Sequence, residues 1–220
     1  VYEYFSIVSG LPPVDNLAQH ASQFETTRIL DRDGNILYEI IDPNAGRRTY
    51  VTLDKISPYL IASTIATEDK EYYNHPGYDF FGMMRALYQN YTSGEIVSGA
   101  STITQQLARR LYLREGGGPL VVRKWRESVI AFQLEAHRSK DEILELYLNE
   151  VYYGRGAYGI EAAARVYFGV SAANLDLATA AYLAGLPQLP SAYDPAEDES
   201  PARARQGYVL SRMAADGRIT

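Results

Sequence analysis

Hydrophobic residues alternate with polar ones near the start of the chain and then follow a helical spacing. Two runs of β-prone residues, 26–30 and 36–41, flank a turn that contains Asp33-Gly34. Such a turn signal between two β-prone runs predicts a β-hairpin. From about Leu53 onward, apolar residues recur every three or four positions, which predicts a succession of helices.

Capping signals divide the helical part of the chain. Ser57-Pro58 predicts the start of a helix, because proline is tolerated in a first turn. Ser101 is predicted to cap a helix that ends near Leu113. A helical run over 80–92 is predicted before a small-residue loop over 92–100 and, further on, a break over 115–119. Helices are then predicted over 120–138 and over 143–153, the second capped by Ser139 and Glu142. After a glycine-rich break over 154–159, the predicted helices are one that ends at Tyr167, one that Asn174 caps and that ends near Gly185, and a last one from Pro201.

The helix over 120–138 carries an apolar stripe. Val122, Trp125, Val129 and Phe132 recur at spacings of three and four, as expected of a face that packs against a core. We therefore predict that these four side chains are buried.

The patterns together predict a mainly α protein with a small β element near the N-terminus. We divide it into an N-terminal segment with the hairpin, 1–50, a main helical domain, 51–200, and a C-terminal helix, 201–220, that leads towards a further domain. The chain begins at Val1 without a signal peptide and contains no apolar run of about 18 residues. We expect an excised or processed fragment.

Composition narrows the classes of function. The chain has 220 residues, of which 46% are hydrophobic, enough for a sizeable core. A net charge of -6 argues against a general nucleic-acid binder, because counterion release needs a basic surface. The absence of cysteine excludes disulfides and thiolate metal sites.

A first cluster of polar residues follows the helix that Ser57-Pro58 opens. Glu68, Asp69 and Glu71 precede Tyr72 and His75 within eight positions. Such a cluster suits acid–base chemistry. On spacing alone, a charged helix end in solvent is the alternative.

Two further clusters lie on predicted helices. Thr102, Gln106, Arg109 and Arg110 share one helical face that starts at an N-terminus, which suits a phosphate or a sugar. A solvated polar face is the alternative. Arg123 and Glu127, with Lys124 between them, are four apart on the next helix. An ordinary surface ion pair is the alternative there.

These segments carry a resemblance to a known family. The chain resembles glycosyltransferase family 51, the peptidoglycan glycosyltransferase domain of class A penicillin-binding proteins and monofunctional transglycosylases. The motifs that match are Glu68-Asp69-x-x-Tyr72-x-x-His75, Gly99 to Leu107, Arg123-Lys124-x-x-Glu127, Lys140 to Gly169 and Leu183 to Pro195, in the family's order. Two departures are Tyr72 for the usual Phe and Arg109-Arg110 for the usual Lys-Asn.

The resemblance implies a lysozyme-like fold, with a helical lobe and a smaller membrane-proximal lobe. It implies polymerisation of lipid II into β-1,4 glycan strands by an inverting displacement that releases the lipid pyrophosphate. Glu68 is the expected base. The negative charge of Asp69 beside it would make a negative charge on Glu68 less favourable and so help Glu68 to take up a proton. Glu127 is the second expected catalytic carboxylate and would pair with a cation. The expected substrate-binding residues are Asp69, Tyr72, His75, Ser101, Thr102, Gln106, Arg109, Arg110, Arg123 and Lys124.

The resemblance also implies partners and a location. The expected partners are lipid II, the growing glycan strand, the membrane surface and a transpeptidase domain in the same parent chain. A divalent cation, Mg²⁺ or Mn²⁺, is an optional cofactor. We expect the extracytoplasmic face of the bacterial membrane, with a transmembrane anchor that normally precedes a segment like Tyr4 to Leu17.

Two rival functions stay open at this point. One is a lytic hydrolase on a lysozyme-like scaffold, which would need a pair of carboxyl groups with room for water. The other is a cell-wall-binding module without catalytic activity. The cationic residues favour a phosphate leaving group, and Glu68 and Glu127 in their motifs favour an enzyme.

Overall fold

The computed structural model confirms the predicted mainly α architecture in the part of the chain that it describes. The described residues are 25–34, 36–41, 46–79, 82, 91–92, 101–113, 120–196 and 198–220. The helices are α1 (Pro58–Glu68), α2 (Ile103–Tyr112), α3 (Leu120–His137), α4 (Lys140–Glu150), α5 (Ile160–Phe168), α6 (Leu177–Gly185) and α7 (Glu199–Ala215). The strands are β1 (Thr27–Leu30), β2 (Ile36–Ile40), β3 (Arg47–Arg48) and β4 (Ala157–Tyr158).

Three predicted features lie mostly or wholly outside the described residues. They are the helical run over 80–92, the loop over 92–100 and the break over 115–119. Within the described ranges, no helix combines the length and the apolar character that crossing a bilayer would require.

The predicted hairpin is confirmed. Strands β1 and β2 pair antiparallel, with Arg28 opposite Glu39. The Asp31 carboxylate accepts a hydrogen bond from the Asp33 N–H at 2.9 Å, and Gly34 has a φ of 85°. These are local contacts of the kind that turn residues provide. The second sheet, in which β3 pairs parallel with β4, was not predicted.

The chain divides into two compact units. Among the described residues, the first unit covers 68–147 and the second covers 25–67 together with 148–220. In the first unit α2 packs against α3, and the largest fully buried side chains are Tyr72, Ile103, Leu107, Ile130, Leu134, Ile143, Leu144 and Tyr147. In the second unit α7 packs against α6, with Val209 and Met213 buried.

The predicted buried face of α3 is wrong. Trp125 is 57% exposed and Phe132 is 53% exposed, while Val122 and Val129 are half-buried. The buried face instead carries Glu127, Ile130, Ala131 and Leu134. Hydrophobic spacing identified a stripe, but the helix is turned so that a carboxylate faces the interior of the unit.

Two predicted helix starts also need correction. Asn174 was predicted to cap α6, but the cap is Asp176, whose carboxylate accepts from the Thr179 N–H at 2.8 Å. Helix α7 starts two residues before Pro201, because Asp198 accepts from the Ser200 N–H at 2.8 Å.

The Ser139–Glu142 box is confirmed, and it sets the start of α4. Glu142 accepts from the Ser139 N–H at 2.8 Å and from its hydroxyl at 2.9 Å. The helix nevertheless covers Lys140–Glu150 and not 143–153. It ends early because the next residues turn to pair with β4, where the Tyr153 N–H donates to the Ala157 carbonyl at 2.9 Å.

Candidate active site

Glu68 is the last residue of α1 and begins the segment 68–147 of the first unit. Its side chain is half-buried, and its Oε2 accepts a hydrogen bond from Gln106 Nε2 at 2.7 Å. The Gln106 Oε1 in turn accepts from the Tyr147 hydroxyl at 3.2 Å. The tyrosine therefore turns the amide so that its N–H side faces the carboxylate. Gln106 thus links three separate segments of sequence.

Asp69 is buried and points away from solvent. The His75 Nε2 lies 2.9 Å from both of its carboxylate oxygens, and the Ile103 N–H donates to Oδ2 at 3.1 Å. The Gly77 N–H donates to His75 Nδ1 at 3.1 Å. The imidazole proton of the neutral ring must therefore lie on Nε2 and be shared with Asp69. Asp69 thus holds His75 and the first turn of α2, and it is a positioning residue.

Tyr72 lies beneath this cluster. It is fully buried, and its hydroxyl donates to the Lys140 carbonyl at 2.6 Å. Burial, reinforced by the charge of Glu135, raises the pKa of Tyr72 far above its usual range. Tyr72 and His75 were predicted to bind substrate, but their polar atoms are engaged inside the unit. These contacts hold the two rings within the first unit, and substrate binding by them stays a prediction.

Lys140 and Glu135 form an ion pair that the functional reading of the sequence missed. The Lys140 ammonium donates to Glu135 Oε1 at 2.8 Å and to the His75 carbonyl at 2.7 Å. It also lies 4.5 Å from the centre of the Tyr72 ring. Glu135 lies two turns after Glu127 on α3, and this spacing was the available signal for a second inward carboxylate.

Thr102, and not Ser101, caps α2. Its Oγ1 accepts from the Gln105 N–H at 3.1 Å, and Gln105 Oε1 accepts from the Thr102 N–H at 3.0 Å. The Thr102 hydroxyl donates to the Gly77 carbonyl at 2.6 Å. Thr102 is buried and its hydroxyl is used within the fold, so it does not share the outer face of Gln106. The cap is Thr102 rather than the predicted Ser101 because Thr102 and Gln105 each accept a hydrogen bond from the other's backbone N–H.

Glu127 is the other carboxylate of the site and is 1% exposed. Its Oε2 lies 2.5 Å from the Lys124 ammonium, which also donates to Ser101 Oγ at 2.7 Å. Its Oε1 lies 3.6 Å from Arg123 Nε, too long for a hydrogen bond. The predicted pairing of Glu127 with a cation is confirmed.

The Glu127 Oε1 and the Arg123 Nε have no hydrogen-bond partner among the described residues. Buried polar atoms are nearly always paired, so each exception needs a reason. A ligand that accepts from Arg123 and donates to Glu127 would pair both atoms.

Arg109 and Arg110 lie in the last turn of α2 and are partly exposed. A guanidinium there is stabilised by the negative end of the helix dipole, which needs no ligand. Within the described residues, no group of three or more His, Asp or Glu side chains is placed to hold a metal ion.

Comparison with known proteins gives the family. The family model described as Transglycosylase matches residues 33–214. The chain belongs to the transglycosylase family. This confirms the family predicted from the five motifs, and with it the class of enzyme, a peptidoglycan glycosyltransferase.

Relatives of this transglycosylase domain are much longer proteins. Penicillin-binding protein 1A of Rickettsia conorii (strain ATCC VR-613 / Malish 7) is 40% identical over 222 residues, covering 100% of this chain and 27% of the relative. Penicillin-binding protein 1A of Neisseria flavescens is 40% identical over 210 residues, covering 96% of this chain and 26% of the relative. A crystal structure of penicillin-binding protein 1A from Haemophilus influenzae has a TM-score of 0.49 at 26% identity and covers 89% of this chain and 19% of that one. The transglycosylase domain thus spans about a quarter of the length of the curated relatives that it matches.

Proposed function

We propose that this domain polymerises lipid II, a lipid-linked disaccharide pyrophosphate, into β-1,4 glycan strands. The observation that carries the proposal is the position of Glu68. Its carboxylate lies at a helix end, half-buried and held at 2.7 Å by Gln106. The same unit contains the cations around Glu127. A base and a set of cations are what the reaction requires.

Glu68 acts as the base. The 4-hydroxyl of one sugar gives its proton to the Glu68 carboxylate as its oxygen forms a bond with the anomeric carbon of the growing chain. The bond from that carbon to the pyrophosphate oxygen breaks, and its electron pair leaves with the lipid pyrophosphate. Attack opposite an α-linked leaving group inverts the centre and gives the β-1,4 bond.

Cations stabilise the charge that develops on the leaving group. Arg123 is partly exposed beside the buried Glu127, and Lys124 links Glu127 to Ser101. Guanidinium groups suit phosphate oxygens because they present N–H groups in a planar fork. Arg109 and Arg110 add positive charge at the end of α2.

Glu127 orients these cations. Its carboxylate already receives the Lys124 ammonium at 2.5 Å, so a proton would have to displace that contact. Its Oε1, the buried oxygen without a hydrogen bond in the described part, would hold Mg²⁺ or Mn²⁺ together with the pyrophosphate, if such a cation takes part. Mg²⁺ is typically held by one or two carboxylates plus substrate phosphates, and it would supply further charge stabilisation.

The remaining parts of the proposal concern the setting. The lipid of the substrate requires a membrane surface next to the domain. We propose the extracytoplasmic face of the bacterial membrane, with an anchor in the parent chain. A transpeptidase domain in that chain would cross-link the glycan that this domain makes.

Polymerisation of labelled lipid II in detergent tests the function. Glu68→Gln should abolish glycan formation, while Glu127→Gln should leave measurable activity. Both should melt like the parent protein, because glutamine is nearly isosteric. Glu71→Gln is the matched control, because Glu71 is an exposed acid three residues after Glu68. Activity in folded Glu68→Gln with none in folded Glu127→Gln would reverse the roles. Shorter fragments from finished cell wall, without longer glycan from lipid II, would support a hydrolase instead.

The cations are tested separately. Arg123→Ala should lower the rate at least tenfold, since one such donor is typically worth about 10²–10³. Arg109→Lys should be milder, because the positive charge survives. The ranking is contradicted if Arg109→Lys loses more activity than Arg123→Ala.

A further inference from the structure

A cavity rich in arginine lies in the second unit, and none of its lining residues belongs to the candidate active site. Its volume is about 320 Å³, within the usual range for small-ligand sites. Its lining residues are Arg28, Glu39, Arg47, Arg155, Ala162, Arg165 and Val166.

Four separate elements supply the four guanidinium groups. Arg28 comes from β1, Arg47 from β3, Arg165 from α5 and Arg155 from the turn before β4. Arg28 and Arg47 precede the five family motifs. Arg155 and Arg165 lie within the fourth motif, Lys140 to Gly169, but neither is one of its matched residues. Tertiary packing alone brings them to one cavity.

The carboxylates around the cavity do not exhaust the donors of these arginines. Arg28 and Arg47 share one carboxylate, with Nε atoms 3.0 and 3.4 Å from the two oxygens of Glu39. Arg165 is 2.7 Å from Glu161, while Arg155 comes no closer than 4.0 Å to Asp194. Four cations therefore face three carboxylates. Each guanidinium has five N–H donors, so many remain for a ligand.

The backbone at Arg155 is a second, independent observation. Its φ is 51°, and no other residue except glycine has a positive φ in the described part of the chain. Glycine occupies both neighbouring positions and would adopt this conformation without strain. A residue held in an unfavourable conformation is an indication of function. Here the strain places a guanidinium at the cavity, 5.7 Å from the centre of the Tyr167 ring.

We propose that this cavity is a binding site for a phosphate-type oxyanion. A tetrahedral oxyanion presents oxygens in several directions and can accept from several guanidinium forks at once. A single carboxylate has two oxygens in one plane, and Glu39 already shows how two arginines occupy them. A free phosphate or pyrophosphate and the headgroup phosphate of a lipid share this chemistry.

Titration calorimetry at constant ionic strength tests the site. The experiments use Arg123→Ala protein, in which phosphate binding near the candidate active site is weakened. The cations that remain there are the same in every variant compared, so they do not affect the difference between variants. Sodium pyrophosphate should bind to this protein. The binding constant should fall at least tenfold when Arg155→Gly is added to Arg123→Ala. That substitution also relieves the backbone strain, so the variant should melt at the same or a higher temperature. Arg218→Gln is the control that removes an equal charge from the exposed C-terminal end, and it should bind as well as its parent.

Separate titrations identify the source of the phosphate. Binding of inorganic phosphate or pyrophosphate indicates a free ligand, and binding only to phosphatidylglycerol vesicles indicates a headgroup. Either result supports the proposal if Arg155→Gly removes it. Equal binding by the parent and Arg155→Gly, or tighter binding of acetate than of phosphate, would overturn it. Because polymerisation is measured in a separate assay, failure here leaves the proposed catalytic roles unaffected.

Discussion

Replacement of Asp69 by asparagine would remove the carboxylate that joins the end of α1 to the start of α2. The Asp69 side chain is 5% exposed. It accepts from His75 Nε2 at 2.9 Å and from the Ile103 N–H at 3.1 Å. Both donors lie near the same oxygen, Oδ2, and His75 Nε2 is also 2.9 Å from Oδ1. An asparagine oxygen at the Oδ2 position can still accept from the Ile103 N–H, but the NH₂ group then replaces Oδ1 and faces the N–H group of His75.

The expected loss is about 3 kcal/mol in the free energy of unfolding. Hydrogen bonds to a charged group contribute roughly 1.5–3 kcal/mol each, and a buried donor left without a partner costs a further 1–3 kcal/mol. Removal of negative charge near the N-terminus of α2 adds about 0.3–1 kcal/mol. Part of this is recovered because the asparagine oxygen keeps the contact with the Ile103 N–H.

Urea denaturation followed by circular dichroism measures the effect. With a slope of about 2 kcal/mol/M, the midpoint should fall by roughly 1.5 M. Glu71→Gln, at an exposed acid two residues away, should change stability by no more than about 0.5 kcal/mol. A midpoint for Asp69→Asn within error of the Glu71→Gln value would refute the assignment of Asp69 as a buried link. A double-mutant cycle with His75→Ala should show coupling of at least about 1 kcal/mol.

Two further predictions concern stability in the second unit. Gly159 has φ 80° and ψ 155°, a region almost restricted to glycine, and a Cβ there would lie 2.5 Å from the Asn149 carbonyl oxygen. Gly159→Ala should therefore lower the melting temperature far more than Gly217→Ala, whose Cβ would meet nothing within 4 Å; similar shifts would contradict this. Hydrogen bonds from the Thr179 hydroxyl and N–H lower the pKa of Asp176, so its stabilising effect is present above the unfolded pKa and is lost as pH falls through the folded one. Asp176→Ala should cost about 1 kcal/mol at pH 7, with the difference from the parent shrinking below about pH 4 in melting curves; a constant difference would be evidence against the cap.

Local contacts made parts of the fold predictable from the sequence. The hairpin turn depends on Asp31, Asp33 and Gly34, and the start of α4 depends on Ser139 and Glu142. In each case the donor and the acceptor are within three residues of one another. The stabilisation from these local hydrogen bonds depends little on how the rest of the chain folds, so a short stretch of sequence is enough to predict them.

The sequence also identified the family and the residues of the candidate site, because the motifs occur in order along one chain. It could not say which of those residues face a substrate. Thr102 has a hydroxyl that suits a ligand, but it is buried because the Gly77 carbonyl lies 2.6 Å away. That contact joins positions 25 residues apart, and it exists only after α2 has packed.

Burial and long-range pairing were decided by the tertiary structure alone. Glu127 faces the interior although the apolar spacing of α3 predicted a different face, since Lys124 and Arg123 are there to compensate its charge. The four arginines of the cavity come from positions 28 to 165. No local rule relates them, because a charged residue on a short strand or turn is equally compatible with solvent. Only the packing of the whole second unit determines that their charges converge.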